Sequence, residues 1–238
     1  VRELLIAGRR RVRDVWLAEG MDESGVVAEI VELASDIRVP VRRVSRTRLD
    51  GEARTDAPQG VLAHAEPLPE HELDDLLRPR QDGQKPFLLA LDGITDPHNL
   101  GALLRTAESA GVTGVLLPRH RAAHVTPTVA KAAAGAIEHV PMAVVPGLPA
   151  ALIALKERGV WTVGLDADAD QPLFGLEVAS EPVAIVLGAE GSGLSRLVRQ
   201  RCDLLVAIPQ RGAIESLNVS AAGALALYEV ARRRSAAS

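Results

Sequence analysis

The sequence predicts an α/β protein: a parallel sheet covered by helices on both faces, preceded by a smaller α/β unit. Two observations carry that prediction. Six short apolar runs, at residues 87–91, 114–117, 142–145, 161–165, 183–187 and 204–208, are each bounded by Gly, Pro or Asp, and helical patterns lie between most of them. Near-continuous apolar strands alternating with helices belong to parallel sheets buried on both faces. Hydrophobic residues make up 47 % of the chain and aromatics only 2 %. The core must therefore be Ala, Leu, Val and Ile, which suits close helix-on-sheet packing and argues against aromatic stacking platforms.

The 238 residues suffice for one large domain or two modest ones. Residues 1–78 read as the smaller unit. A helix ends near Gly8, and residues 12–17 alternate as a strand does. Ser24 is placed to cap a helix in which Val27, Ile30, Val31 and Ala34 recur at helical spacing. A strand over 39–44, a Gly/Asp-rich loop over 50–60 and a strand over 60–65 follow. Residues 79–85 have linker composition, rich in charge with a proline and a glycine, so the second unit runs over 86–238.

Bulk chemistry excludes little. Cys202 is the one cysteine, so neither an intrachain disulfide nor a cysteine-built metal site is expected. The opening Val1-Arg-Glu-Leu-Leu shows no secretory pattern, and no apolar run approaches the roughly 20 residues of a membrane span. A cytoplasmic protein without membrane contact is expected, with residues upstream of Val1 absent from this chain. Net charge is −4, which does not itself point to a nucleic acid. Arginines are nevertheless clustered: Arg9, Arg10, Arg11 and Arg13; Arg38, Arg42, Arg43, Arg46 and Arg48; and Arg232, Arg233 and Arg234. Guanidinium matches phosphate bidentately, so these groups could hold RNA, or they could be a solvated surface.

In open parallel sheets, ligands bind beyond the carboxyl ends of the strands. The loops after Leu91, Leu187 and Ile208 are therefore the places to seek chemistry. In the first, Asp96-Pro97 turns into a helix that carries Asn99, Gly101 and Arg105. Asn99 and Arg105 lie within two turns but about 240° apart, so they need not share a face. Gly101 costs a helix about 1 kcal/mol against Ala, which suggests a close backbone approach. A capped helix with a surface arginine is the simpler account of this loop alone. The second loop, Gly188-Ala-Glu190-Gly191-Ser-Gly193-Leu194, fails as a dinucleotide fingerprint because Glu190 replaces the second Gly. It fails as a P-loop because Leu194 replaces Lys. A carboxylate there would repel pyrophosphate and suits a neutral or cationic ligand. The third loop leads through Ser216-Leu217-Asn218 into an Ala-rich helix, and an N-cap explains one of those polar residues.

Together, Asn99-x-Gly101-x-x-x-Arg105, Leu187-Gly-Ala-Glu-Gly191, and Ile208-Pro209 followed by Ser216-Leu-Asn-Val219 resemble the three-motif set of the SpoU (TrmH) family within the SPOUT superfamily. The fuller strings are most similar to its 23S ribosomal RNA guanosine-2′-O-methyltransferases. The resemblance covers about residues 86–234. It implies a domain with a deep C-terminal trefoil knot, which no periodicity reveals, and an N-terminal unit similar to ribosomal protein L30 or L7Ae. It implies S-adenosylmethionine as cofactor, RNA as substrate, a homodimer and no metal. Leu187, Gly188, Ala189, Ile208, Pro209 and Leu217 would hold the cofactor. Asn99 and Glu190 would orient Arg105 and the nucleotide, while Ser216 and Asn218 would shape the transfer site. Arg105 would activate the ribose hydroxyl, by donating hydrogen bonds to the developing alkoxide rather than as a base, since free guanidinium has a pKa above ~12. His98 next to Asn99 suits a turn or positioning role. His64, His71, His120, His124 and His139 show no ligand spacing. Alternatives are a transfer RNA or antibiotic-resistance methyltransferase, a catalytically silent RNA-binding assembly factor, and a nucleotide enzyme that Glu190 and Leu194 argue against.

Of the arginines, Arg42, Arg43 and Arg46 are the expected RNA contacts. Alanine at both Arg43 and Arg46 should weaken RNA binding and lower its salt slope by about two, leaving cofactor affinity unchanged. An unaltered slope in a salt titration removes them from the interface.

Overall fold

The computed structural model describes residues 1–53, 58–80, 83–120, 125–212 and 216–236. His124, Glu215, residues 54–57 of the expected 50–60 loop and residues 81–82 of the expected linker lie outside the described residues.

The first unit contains α1 (Arg2–Ala7), β1 (Val12–Ala18), α2 (Val26–Asp36), β2 (Val41–Val44), α3 (Arg46–Glu52) and β3 (Val61–Ala65). Its sheet has the order β2-β1-β3, with β1 parallel to β2 and antiparallel to β3. Val15 and Leu17 of β1 pack against Leu5, Ile30 and Ala34, while Ala18, Val44 and Leu49 form a second cluster. Three local expectations are corrected. Gly25, at φ 55°, caps α2 in place of Ser24, whose hydroxyl donates to Asp22 instead. The 39–44 strand begins only at Val41. The arginine-rich stretch before the 50–60 loop is helical as far as Glu52, because Ser45 caps α3 by accepting from the Arg48 N–H.

The second unit follows as β4 (Phe87–Asp92), α4 (Pro97–Ser109), β5 (Gly114–Pro118), α5 (Pro127–Ala132), β6 (Met142–Val145), α6 (Leu148–Glu157), β7 (Trp161–Leu165), β8 (Gln171–Pro172), β9 (Val183–Gly188), α7 (Arg196–Arg201), β10 (Leu204–Ala207) and α8 (Val219–Ser235). All six expected strands are present, in a sheet of order β6-β5-β4-β9-β7-β10-β8 whose pairs are all parallel. The two-residue β8 carried no sequence signal. Alternate residues of the central strands serve opposite faces. Phe87, Leu89, Leu91, Ile185 and Leu187 meet α4, α5 and α8, and Leu88, Ala90, Ala184 and Val186 meet α6 and α7. Burying each of the leucines on α4, Leu100, Leu103 and Leu104, contributes about 1.5–3 kcal/mol.

The two units are joined by a short 3-10 turn, Leu73–Leu77, whose Leu76 lies in the second core. Arg10 reaches across to Glu138 and also donates to the Glu66 carbonyl at 2.8 Å, and Glu3 meets His139 at 2.9 Å. At the far end, Arg234 donates to the carbonyls of Ala179, Lys85, Pro86 and Glu181 and lies over the Phe87 ring, fastening α8 to the start of β4. Arg10 and Arg234 thus hold the fold together rather than offering phosphate sites. Burial pushes the Cys202 thiol up to about 12, so it is protonated at neutral pH.

The close approach expected at Gly101 is against α5. A Cβ there would overlap the Ala132 methyl and come to 3.0 Å from the Ala133 nitrogen. Gly101→Ala should therefore lose about 1–3 kcal/mol through overpacking, despite the helix propensity it gains. Denaturant unfolding checks this, and a stabilised variant would refute the contact.

Candidate functional site

The site is assembled where β4, β7, β9 and β10 end on one edge of the sheet. On the first strand's exit, Asp96 caps α4 by accepting from the N–H groups of His98 at 3.1 Å and Asn99 at 3.3 Å, with Pro97 in the first turn. The cap holds Asn99 on the buried side of the first turn, where it is only 8 % exposed. On the second exit, the end of β9 lies so close to the Gly193 backbone that a Cβ on Gly188 would overlap it. Ala189 and Gly193 exchange backbone hydrogen bonds of 3.0 and 2.9 Å, and Asp92 accepts from the Ser195 N–H at 2.7 Å. This folded loop presents Glu190 toward α4. On the third exit, Asn218 caps α8 by accepting from the Ser220 N–H at 2.9 Å.

These three pieces meet in one hydrogen-bond chain. Asn218 Nδ2 donates to Asn99 Oδ1 at 3.0 Å, and Asn99 Nδ2 donates to Glu190 Oε2 at 3.1 Å. Its direction is fixed. A carboxylate only accepts, so the Asn99 amide must turn its nitrogen to Glu190 and its oxygen to Asn218. Asn218 then donates with its nitrogen and keeps its oxygen for the helix cap.

Beside the chain lies an open cleft of about 760 Å³. The described residues that line it include Leu187, Gly188, Ala189 and Glu190 from the second exit, Ile208 and Gln210 from β10, and Ser216 and Leu217 before α8. Asp166, from the loop after β7, also lines it. Among the described residues, the lining holds two carboxylates and no Lys or Arg. That donor set suits an amphipathic ligand carrying positive charge, such as the sulfonium expected from the sequence. Pro209 is not in the lining, although both its neighbours are. Nor are Asn99 and Asn218, which reach the cleft through Glu190.

Arg105 stands apart. It is exposed two turns along α4, has no hydrogen-bond or ion-pair partner among the described residues, and does not line the cleft. Arg42, Arg43 and Arg46 lie on the first unit, each about 60 % exposed and each facing an acid: Asp14 at 3.3 Å, Glu23 at 2.8 Å and Asp50 at 3.5 Å respectively. The hydrogen bonds that Arg43 donates to Glu23 hold its guanidinium above its ordinary pKa. Arg48 lies over the Trp16 ring at 4.9 Å. Asp166 was missed in the sequence, although the rule that points to strand ends applies to β7 as well as to β9. Among the described residues, no group of three His, Cys, Asp or Glu could hold a metal, and no helix is long and apolar enough to cross a membrane.

Residues 86–228 match the model of the SpoU rRNA Methylase family, and residues 1–71 match that of RNA 2′-O ribose methyltransferase substrate binding. The chain is 44 % identical to the 23S rRNA (guanosine-2′-O-)-methyltransferase RlmB of Pseudomonas aeruginosa, over 98 % of this chain and 94 % of that protein. It is 43 % identical to RlmB of Pseudomonas syringae, over 99 % and 94 %. Among solved structures it is similar to the SpoU methyltransferase AviRb from Streptomyces viridochromogenes in complex with AdoMet. There the TM-score is 0.81 and the identity 26 %, covering 98 % of this chain and 87 % of that one.

If the Asn99–Asn218 bond is direct, a double-mutant cycle with alanine at each position should show a coupling of about 0.5–1.5 kcal/mol in unfolding free energy. Asn218→Ala alone should cost about 1 kcal/mol through the lost cap. Strictly additive losses would mean that the two amides do not interact.

Proposed function

The chain belongs to the SpoU rRNA methylase family, and from that membership we propose that it methylates the ribose 2′-oxygen of a guanosine in 23S ribosomal RNA, using S-adenosylmethionine. The observation that carries this reading is the chain Glu190–Asn99–Asn218, which ties all three motifs to the rim of one anionic, otherwise largely apolar cleft. Leu187, Gly188, Ala189, Ile208 and Leu217 hold the cofactor, which when bound supplies a methyl group on a positively charged sulfur; Pro209, between two lining residues, shapes the turn rather than touching the cleft.

The protein's own residues then have two tasks. Asn99 and Glu190 position the nucleotide, and Ser216 and Asn218 shape the space where it meets the methyl group. Arg105 supplies the hydrogen bonds that the 2′-oxygen needs as its proton leaves to water. A guanidinium donates and does not accept, so its task is to stabilise the developing alkoxide and the neighbouring phosphate. Its free, exposed position suits a group that finds its partner only when RNA arrives.

Residues 1–78 serve as an L30/L7Ae-like RNA-binding domain, residues 79–85 as linker and residues 86–238 as the catalytic domain, although Leu73–Leu77 already packs with the latter. Phosphate must compete with Asp14, Glu23 and Asp50 for Arg42, Arg43 and Arg46. The segment from β9 to α8 forms the deep trefoil knot of the superfamily, and the convergence of its loops on one cleft supports that reading. Leu217, Leu225 and Tyr228, each at least 40 % exposed at or along α8, support a homodimer through that helix. The enzyme works in the cytoplasm without a metal.

Mapping 2′-O-methyl marks on 23S ribosomal RNA, with and without the protein, should show one guanosine that gains its mark only in its presence; an unchanged map refutes the assignment. Arg105→Lys should lower the rate roughly 10²-fold with cofactor affinity intact. Near-full activity with the same pH–rate profile would remove Arg105 from the reaction.

A further inference from the structure

We infer that Asp166 makes the cleft discriminate by charge between the sulfonium cofactor and its spent thioether, so that methyl transfer itself loosens the product. The inference rests on the proposed use of S-adenosylmethionine and goes beyond it by assigning a residue outside the three motifs.

Asp166 enters the cleft from the loop after β7, the strand that lies between β9 and β10, whose exits carry the second and third motif loops. Its side chain is only 12 % exposed. One carboxylate oxygen accepts from the Asp168 N–H at 3.0 Å, and the other meets Arg199 at 2.6 Å. Those contacts fix the group in place but leave its field unequal on its two sides. Arg199, on α7, is 44 % exposed and does not line the cleft, so it offsets the carboxylate's charge toward the cleft only in part. The carboxylate faces a lining that, among the described residues, holds Glu190 as its other charge and no cation. Glu190 is engaged by Asn99, which leaves Asp166 as the carboxylate with no assigned part in positioning.

When the methyl group passes to the ribose oxygen, the carbon–sulfur bond breaks and its electron pair stays on sulfur. The bound molecule thereby loses its positive charge while keeping nearly all of its shape. Apolar contacts with Leu187, Ile208 and Leu217 hold both forms alike, so they cannot favour exchange. A nearby buried carboxylate attracts only the charged form. The effect grows as the bound ligand displaces water from the cleft. In an exchange cycle, that difference favours release of the product and entry of a fresh cofactor.

Titration calorimetry on the full chain tests this with three ligands: S-adenosylmethionine, S-adenosylhomocysteine, and sinefungin, whose amine replaces the sulfonium and is cationic at neutral pH. In Asp166→Asn, binding of the two cationic ligands should weaken roughly tenfold, with S-adenosylhomocysteine changed less than twofold. In Arg199→Gln, which removes the counter-charge, the preference for the cationic ligands should instead increase. Equal weakening of all three ligands would show that Asp166 only holds the loop, and an unmoved ratio in both variants would place its charge out of reach; either overturns the inference. Failure of the unaltered chain to bind S-adenosylmethionine would overturn the proposed function as well, and so is distinguishable from both.

Discussion

The site depends on the inability of a carboxylate to donate a hydrogen bond. Glu190 accepts, and that single fact orients the Asn99 amide, which orients the Asn218 amide, which leaves an oxygen free to cap α8. Three chain segments, around residues 99, 190 and 218, are thereby locked in one register. The same bonds that place chemistry also start a helix, so function and fold share an interaction here. The helix cap fixes the same direction from the other end, because the Ser220 N–H can only donate to the Asn218 oxygen.

The sheet provides the stage on which this is possible. Parallel strands send all their exits to one edge, and β9 lies between β4 and β7, so its loop faces the exits of both. Small residues allow the close approaches that follow. Gly101 lets α5 lie against α4, and Gly188 lets its own loop fold back on the strand end. The scarcity of aromatics is the compositional side of the same design, since Ala, Leu and Val fill narrow gaps between helix and sheet. Even Arg234 is absorbed into this packing, where burial holds its guanidinium below its ordinary pKa and backbone carbonyls take its hydrogen bonds.

Charge in this molecule is used in two different ways. In the first unit, arginines and acids are interleaved at the surface, so Arg42, Arg43 and Arg46 carry less free positive charge than their clustering suggests. In the cleft the described lining carries Asp166 and Glu190 and no Lys or Arg, and the one cation paired with Asp166, Arg199, lies outside that lining. The cleft's negative lining thus suits a cationic ligand, whereas exposed arginines such as Arg105 lie outside it.

The sequence by itself determined six of the seven strands of the main sheet, their parallel sense, and the identity of the three motif loops. Those depend on local periodicity and on residue types that few alternatives satisfy. It misplaced the cap of α2 and read the end of α3 as loop, because the local alternatives there differ by about 1 kcal/mol or less. Only the tertiary structure decided that Asn99 meets Glu190 and Asn218, that Asp166 faces the cleft, and which arginines are tied up in ion pairs. Those partners lie far apart in the chain, and short-range patterns carry no information about which distant side chains the packing of the sheet will bring within 3 Å of each other.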